Sequence, residues 1–369
     1  MNAPISNTFY SSTLRPTYDP NWSVNPVLLS HFSKFFFLPT LVLGLLGGCR
    51  HPESAPEVVV YTALDREFSA PIFEEFTERT GIRVRPKYDS EASKTVGLVN
   101  LIMNERERPR CDVFWNNEII NTYRLEDEGL LQAYRSPVGE EYPAEYRSPE
   151  GTWYGFAARA RILLVNRDLV SEADRPTSIR DLADPKWSER VGIAKPLFGT
   201  TASHAACLFA TLGSESAEEF FHKVAENARI YPGNRQVAQA VATGQIAFGL
   251  TDTDDAMVEI EAGMPVEIIY PDQEPEGLGT LFIPNTLTMI EGCRHPEAAR
   301  QLIDFLLSPE IEARLAEGPS AQIPLHPGSQ AAVRVATPQQ KKAMSPAFAE
   351  AADVWERSAQ YLRTLMGGS

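Results

Sequence analysis

From residue 57 onward, short β-branched apolar runs alternate with stretches whose apolar positions recur at helical spacing. EVVVYTA (57–63) predicts a buried strand. In REFSAPIFEEFTERTG (66–81), Phe68, Ile72, Phe73 and Phe76 share one helical face while Glu74, Glu75, Glu78 and Arg79 fall mostly on the other, and Gly81 closes the helix. IRVRPKY (82–88) alternates as a strand, SKTVGLVNLIMNER (93–106) follows as a helix and CDVFWNN (111–117) as a further strand. This order of elements predicts an α/β fold built on mainly parallel sheet with flanking helices.

The same alternation resumes after residue 151. In GTWYGFAARARILLVNRD (151–168) the strand ARARILLVN runs from a polar to an apolar end, and SIRDLADPKWSERVGIAKP (178–196) gives a short helix, a turn and a strand. Helix and strand alternate again through TTASHAACLFATLG, SAEEFFHKVAENA, NRQVAQAVATGQIAFGL and DAMVEIEAGMPVEIIYP. LGTLFIPNTLTMIEG (278–292) predicts a strand pair or a crossover back to the first half, and helices fill the remainder, in HPEAARQLIDFLLSPEIEARLAEG (295–318) and, after a proline-rich break, PQQKKAMSPAFAEAADVWERSAQYLRTLM (338–366). Two α/β lobes joined by two crossing segments are expected, the first spanning 57–155 and 285–369, the second 156–284. In such sheets the ligand lies beyond the carboxyl ends of the strands. That rule gathers YTALD, DSEAS, WNNE, FGTT, PGN and LTDTDD around one cleft.

The N-terminal segment has a different pattern. FFFLPTLVLGLL (35–46) is apolar throughout and follows Lys34, a length that suits a signal-peptide core and falls short of the roughly 20 residues of a membrane-spanning helix. LGGC then ends at Cys49 and resembles a bacterial lipobox, with residues 1–48 as leader, Cys49 as lipidation site and 49–56 as polar tether. The remaining Cys111, Cys207 and Cys293 form no CxxC pair, which disfavours a structural zinc site, and Cys111 and Cys207 are expected as small buried hydrophobes. A formal charge of −15, from 34 Lys and Arg against 49 Asp and Glu, disfavours nucleic-acid binding.

Several of these stretches, taken in order, carry a family resemblance. VVVYTALDREFSAPIFEEFTERTGIRV, DVFWNNE, YGFAARARILLVNRD, PLFGTTASH, QVAQAVATGQIAFGLTDTDDA, EAARQLIDFLLSPE and SAQIPL together resemble a substrate-binding protein of ABC importers, in the ferric-iron-binding class of the two-lobed periplasmic-binding-protein family (type II). The resemblance implies capture of a small solute by lobe closure, delivery to a permease and its ATPase, a periplasmic or cell-surface location through a lipid anchor, and no cofactor beyond a ferric ion carried as cargo. Relatives of this class place adjacent tyrosines after the strand aligned with AFGL; this chain has Asp254 and Asp255 there. That replacement departs from the tyrosinate site of the class, but carboxylates are also hard oxygen donors, so a metal held by Glu118, Asp254 and Asp255 stays open beside a metal-free ligand.

The candidate ligand-binding residues are Thr62, Asp65, Glu91, Asn117, Glu118, Arg159, Arg161, Gly199, Thr200, Thr201, Asn234, Thr251, Asp252, Asp254 and Asp255. TDTDDA suits either cargo binding or helix capping, with Thr251 or Asp252 as N-cap and the later acids in the first turn. A calcium loop is disfavoured, since Ala256 and Met257 stand where an EF-hand needs an oxygen ligand and a glycine. Gly199, Thr200 and Thr201 open a helix and offer an anion seat. Arg159 and Arg161, two apart on a strand, share a face. An organic phosphate, phosphonate or sulfonate is the second expected ligand class, and Tyr61 and Trp115 are expected as cleft walls. An enzyme is disfavoured: no nucleophile elbow, phosphate loop or zinc-protease helix is present.

Overall fold

The computed structural model describes residues 55–89, 95–345 and 348–367; the leader, Cys49 and Glu91 lie outside them. The first half runs β1 (Glu57–Thr62), α1 (Arg66–Thr80), β2 (Arg83–Tyr88), α2 (Val96–Asn104), β3 (Val113–Asn116), α3 (Ile120–Asp127), β4 (Leu131–Gln132) and β5 (Trp153–Asn166). It continues with β6 (Val191–Ala194), α4 (Gly199–Leu212), α5 (Ser214–Asn227), β7 (Arg229–Tyr231), α6 (Asn234–Ala242), β8 (Phe248–Asp252), α7 (Thr253–Glu261) and β9 (Val266–Ile269). Last come β10 (Phe282–Ile290), α8 (Pro296–Leu306), α9 (Pro309–Glu317), α10 (Phe348–Asp353) and α11 (Trp355–Met366).

The strands form one continuous mixed sheet in the order β2-β1-β3-β10-β5-β8-β6-β7, with β4 on β10 and β9 on β5. Pairing is parallel within β2-β1-β3 and within β8-β6-β7, as the alternating pattern predicts. The two linking strands depart from it, since β5 and β10 run antiparallel to each other and to their outer neighbours. β5 is buried along its whole length and serves two partners: residues 153–160 pair with β10, and 161–166 pair with β8 and β9. Such double burial explains why its sequence is mostly apolar rather than alternating, with Arg159 and Arg161 as charged exceptions.

The region where the pairing changes is braced by polar side chains. Register shifts between Ile283 and Asn285, at Pro284, which has no N–H for a ladder bond. Ala157 adopts a left-handed φ of 44°. Its N–H donates to the buried Glu312 carboxylate at 2.7 Å, and Asn285 donates through its side-chain amide to the Ala157 carbonyl. Glu312 also accepts from the Leu325 and His326 N–H groups, which ties α9 to the linking strands.

The helical stretch expected at 295–318 forms two helices, α8 and α9. Ser308 caps the second through the Ile311 N–H, and Pro309 sits at its first position, where a missing N–H costs nothing. The C-terminal α10 packs on both α3 and α4, and α11 packs on α4 and α5. Arg124 pairs with Glu356 at 2.6 Å and lies over the Trp355 ring, while Tyr361 donates to the Glu218 carbonyl.

Candidate functional site

Strand ends from both halves of the sheet meet around a cavity of about 20 Å³. Asp65 follows β1 and Asn117 follows β3; Lys195 follows β6, and Asp252 ends β8. Gly199, Thr200 and Thr201 open α4, Asn234 opens α6, and Asp254 and Asp255 lie in the first turn of α7. Arg159 projects from β5. The volume admits an ion with at most a water or two. Four aspartates against Arg159 and Lys195 make its lining net negative.

One carboxylate in this ring is spoken for by the protein. Asp252 accepts from Arg161 at 2.6 Å, from the Thr200 hydroxyl at 2.6 Å and from the Asn234 amide at 3.0 Å. Arg161 also donates to the Thr200 and Thr201 hydroxyls, and Thr201 donates to Asn234. Burial pushes the Asp252 carboxyl up, but Arg161, Arg159 and the Thr200 hydroxyl outweigh it and hold the group below its usual range. One donor of the expected anion seat, the Thr200 hydroxyl, is therefore engaged by an internal anion. Asp252 stands at the N-cap of α7 yet makes no side-chain capping bond, because its carboxylate turns toward Arg161 instead.

Asp254 and Asp255 have a different setting. Arg159 meets Asp254 at 3.2 Å and donates to Asn285 at 3.0 Å. Burial disfavours the Arg159 charge, but Asp254, Asp252, Asp255 and Asp65 together raise its pKa above the ordinary value. Carboxylate oxygens of Asp252, Asp254 and Asp255 lie within 4.8 Å of one another, the spacing of a metal-binding group. Their position in the first turn also favours negative charge through the helix dipole. Cargo binding and dipole stabilisation are thus both compatible with the geometry.

Other expected residues fall elsewhere. Glu118, anticipated beside Asp254 and Asp255 as a metal ligand, is outside the cavity. Its carboxylate accepts from the Ile120 and Asn121 N–H groups at the start of α3, from Asn116 and from Ser203. Thr62 accepts from the Leu64 N–H, and Thr251 donates to the Asn234 carbonyl; neither lines the cavity. Trp115 is core, packed edge-on against Phe73 and tilted on Phe156, while Tyr61 donates to Glu105. No tyrosine lines the cavity among the described residues. Lys195 and Arg235 are additions to the expected set; Arg235 sits beside Asn234 in PGNR, and Lys195 directly follows the strand VGIA, at the position from which a sheet presents binding groups.

Two half-sheets joined by β5 and β10, with charged strand ends facing one cleft, define a protein that captures a ligand between two lobes. The profile described as bacterial extracellular solute-binding protein matches residues 121–353, and the chain belongs to that family. Iron uptake protein A1 of Synechocystis is 28% identical over 300 residues, 75% of this chain and 81% of that one. Iron-bound HitA from Pseudomonas aeruginosa superposes with a TM-score of 0.76 at 24% identity, covering 84% of this chain and 99% of its own. AfuA from Actinobacillus pleuropneumoniae, with exogenous fructose-6-phosphate bound, gives a TM-score of 0.76 at 20% identity, covering 85% and 99%. The shared fold is the two-lobed α/β architecture of periplasmic binding proteins, and the protein is a binding protein rather than an enzyme.

Proposed function

We propose that this protein is the cargo-capturing component of an ABC importer of the iron(III) class, delivering a cation to a permease driven by an ATPase. The observation that carries this reading is the acid ring: Asp65, Asp254 and Asp255 face a cavity of about 20 Å³. A hard cation suits hard anionic oxygens, and ferric iron is the cargo that the relatives' names favour. Lobe 1 would comprise 57–155 and 285–369 and lobe 2 residues 156–284, closing about β5 and β10 through contacts the cargo makes with both. Lipid attachment at Cys49 would anchor the chain outside the membrane, with no other membrane contact. Among the described residues no helix is long and apolar enough to span a bilayer.

A second reading is an organic phosphate, phosphonate or sulfonate. The fold likeness to AfuA and the buried Arg159 favour it. Against it, Asp252 already fills the seat made by Arg161, Thr200 and Asn234. Thermal shift with ferric nitrilotriacetate, fructose 6-phosphate and 2-aminoethylphosphonate separates the two, since only a ligand of the folded state raises the melting temperature. A rise with ferric iron alone supports the cation reading; a rise with the phosphorus compounds alone replaces it.

A further inference from the structure

Arg235 lies on α6, which leads into β8, yet its guanidinium reaches across to the opposite side of the cleft. It pairs with Asp65 at 2.9 Å and with Glu67, both beside the start of α1, and stands 3.7 Å from Asp255 on α7. Asp65 lines the inner cavity; Asp65, Glu67 and Arg235 together line an open depression on the outer face. The guanidinium therefore sits on the outer side of Asp65, at the edge of the cavity. Outside the cavity, Ser203 on α4 donates to Glu118, which follows β3, at 2.8 Å in a fully buried contact, a second bridge between the two halves of the sheet.

We propose that Arg235 is a gate residue, a built-in counter-cation that latches the two lobes across the mouth of the cleft and slows the escape of cargo. This rests on the closure motion proposed above, but not on the identity of the cargo. The Asp65 and Asp255 carboxylates come from opposite lobes, and their repulsion opposes closure unless a positive group lies between them. Arg235 is that group, and its planar fork engages two carboxylates at once, which a lysine ammonium does less well. The pair is partly exposed, with about a third of the Arg235 side chain accessible, so salt screens it. The sequence left it unread because Asp65 and Arg235 are 170 residues apart.

Two measurements test the gate separately from the cargo. Small-angle scattering of the cargo-free protein at low and high salt reads closure directly. The wild type is expected to be compact at low salt and to expand at high salt, while Arg235→Ala is expanded at both and Arg235→Lys falls between. A circular dichroism melt establishes that the variants are folded. Arg235→Ala curves that match the wild type at both salt concentrations would overturn the proposal. The second measurement loads ferric nitrilotriacetate and follows transfer of iron to a competing chelator. The latch predicts release about tenfold faster from Arg235→Ala, and Glu67→Gln, which removes one of its three carboxylate partners, a smaller change in the same direction. Release that is unchanged in both variants would show that Arg235 does not retain cargo. If ferric iron fails to bind at all, the cargo assignment falls and the scattering result still decides the gate.

Discussion

The Arg161 guanidinium donates at 2.6 Å to the Asp252 carboxylate, and both side chains are almost wholly withdrawn from solvent. This pair joins β5, one of the two linking strands, to the end of β8, and it arranges Thr200, Thr201 and Asn234 around itself. Removing one partner of a buried pair leaves a charge without compensation. Arg161→Ala is therefore expected to cost about 3–5 kcal/mol of stability. Urea unfolding at pH 7 measures it, and a loss below about 1 kcal/mol would mean that water or another group takes over the Asp252 charge.

The two acids of α7 are expected to behave differently. Asp255 is partly accessible, so Asp255→Ala should weaken cargo binding more than about tenfold, about 1.4 kcal/mol, with little change in stability. Asp254 is paired with buried Arg159, so Asp254→Ala should lose both affinity and stability. Calorimetric titration beside urea unfolding separates the effects. Loss of stability alone in both variants would reduce the acids to partners of the helix dipole.

His204 sets a pH window. It is buried on α4, and desolvation, aided by the nearby Arg161 charge, lowers its pKa from 6.5 to about 3. Between those values the unfolded chain binds a proton that the folded chain refuses. Stability is then full above pH 6.5 and declines as the pH falls toward 3, with a slope approaching about 1.4 kcal/mol per pH unit. Denaturant midpoints for wild type and His204→Gln between pH 6.5 and 5 test this, before most carboxylates titrate. The variant should show a flatter profile; parallel profiles would place a proton-accepting partner beside the imidazole.

The elements themselves were legible because their periodicities are local. α1 shows its apolar face within a single stretch of sequence, and β5 announces its double burial as a mostly apolar stretch broken only by short polar positions such as Arg159 and Arg161. The strand-end rule also gathered most of the cavity: Asp65, Asn117, Gly199, Thr200, Thr201, Asn234, Asp252, Asp254 and Asp255 all line it. Pairings across the fold were not legible. Sequence presents GTT as an open anion seat, and only the tertiary structure brings Asp252 into it, 52 residues from Thr200. Glu118 looked like a cleft ligand because a loop carboxylate after a strand commonly is one; here the start of α3, Asn116 and Ser203 engage it instead. The long C-terminal pattern 338–366 becomes helix only from residue 348 among the described residues, after a proline-containing break.

The central claim is that carboxylates, in place of phenolates, hold a cation in the cleft. Titration of the soluble chain beginning after Cys49 with ferric nitrilotriacetate, followed by visible absorption and calorimetry together, tests it most directly. Binding of one equivalent without an intense visible charge-transfer band, weakened by Asp255→Ala, is the expected result. A strong tyrosinate-to-iron band, or tight binding of 2-aminoethylphosphonate with no response to ferric iron, would contradict it.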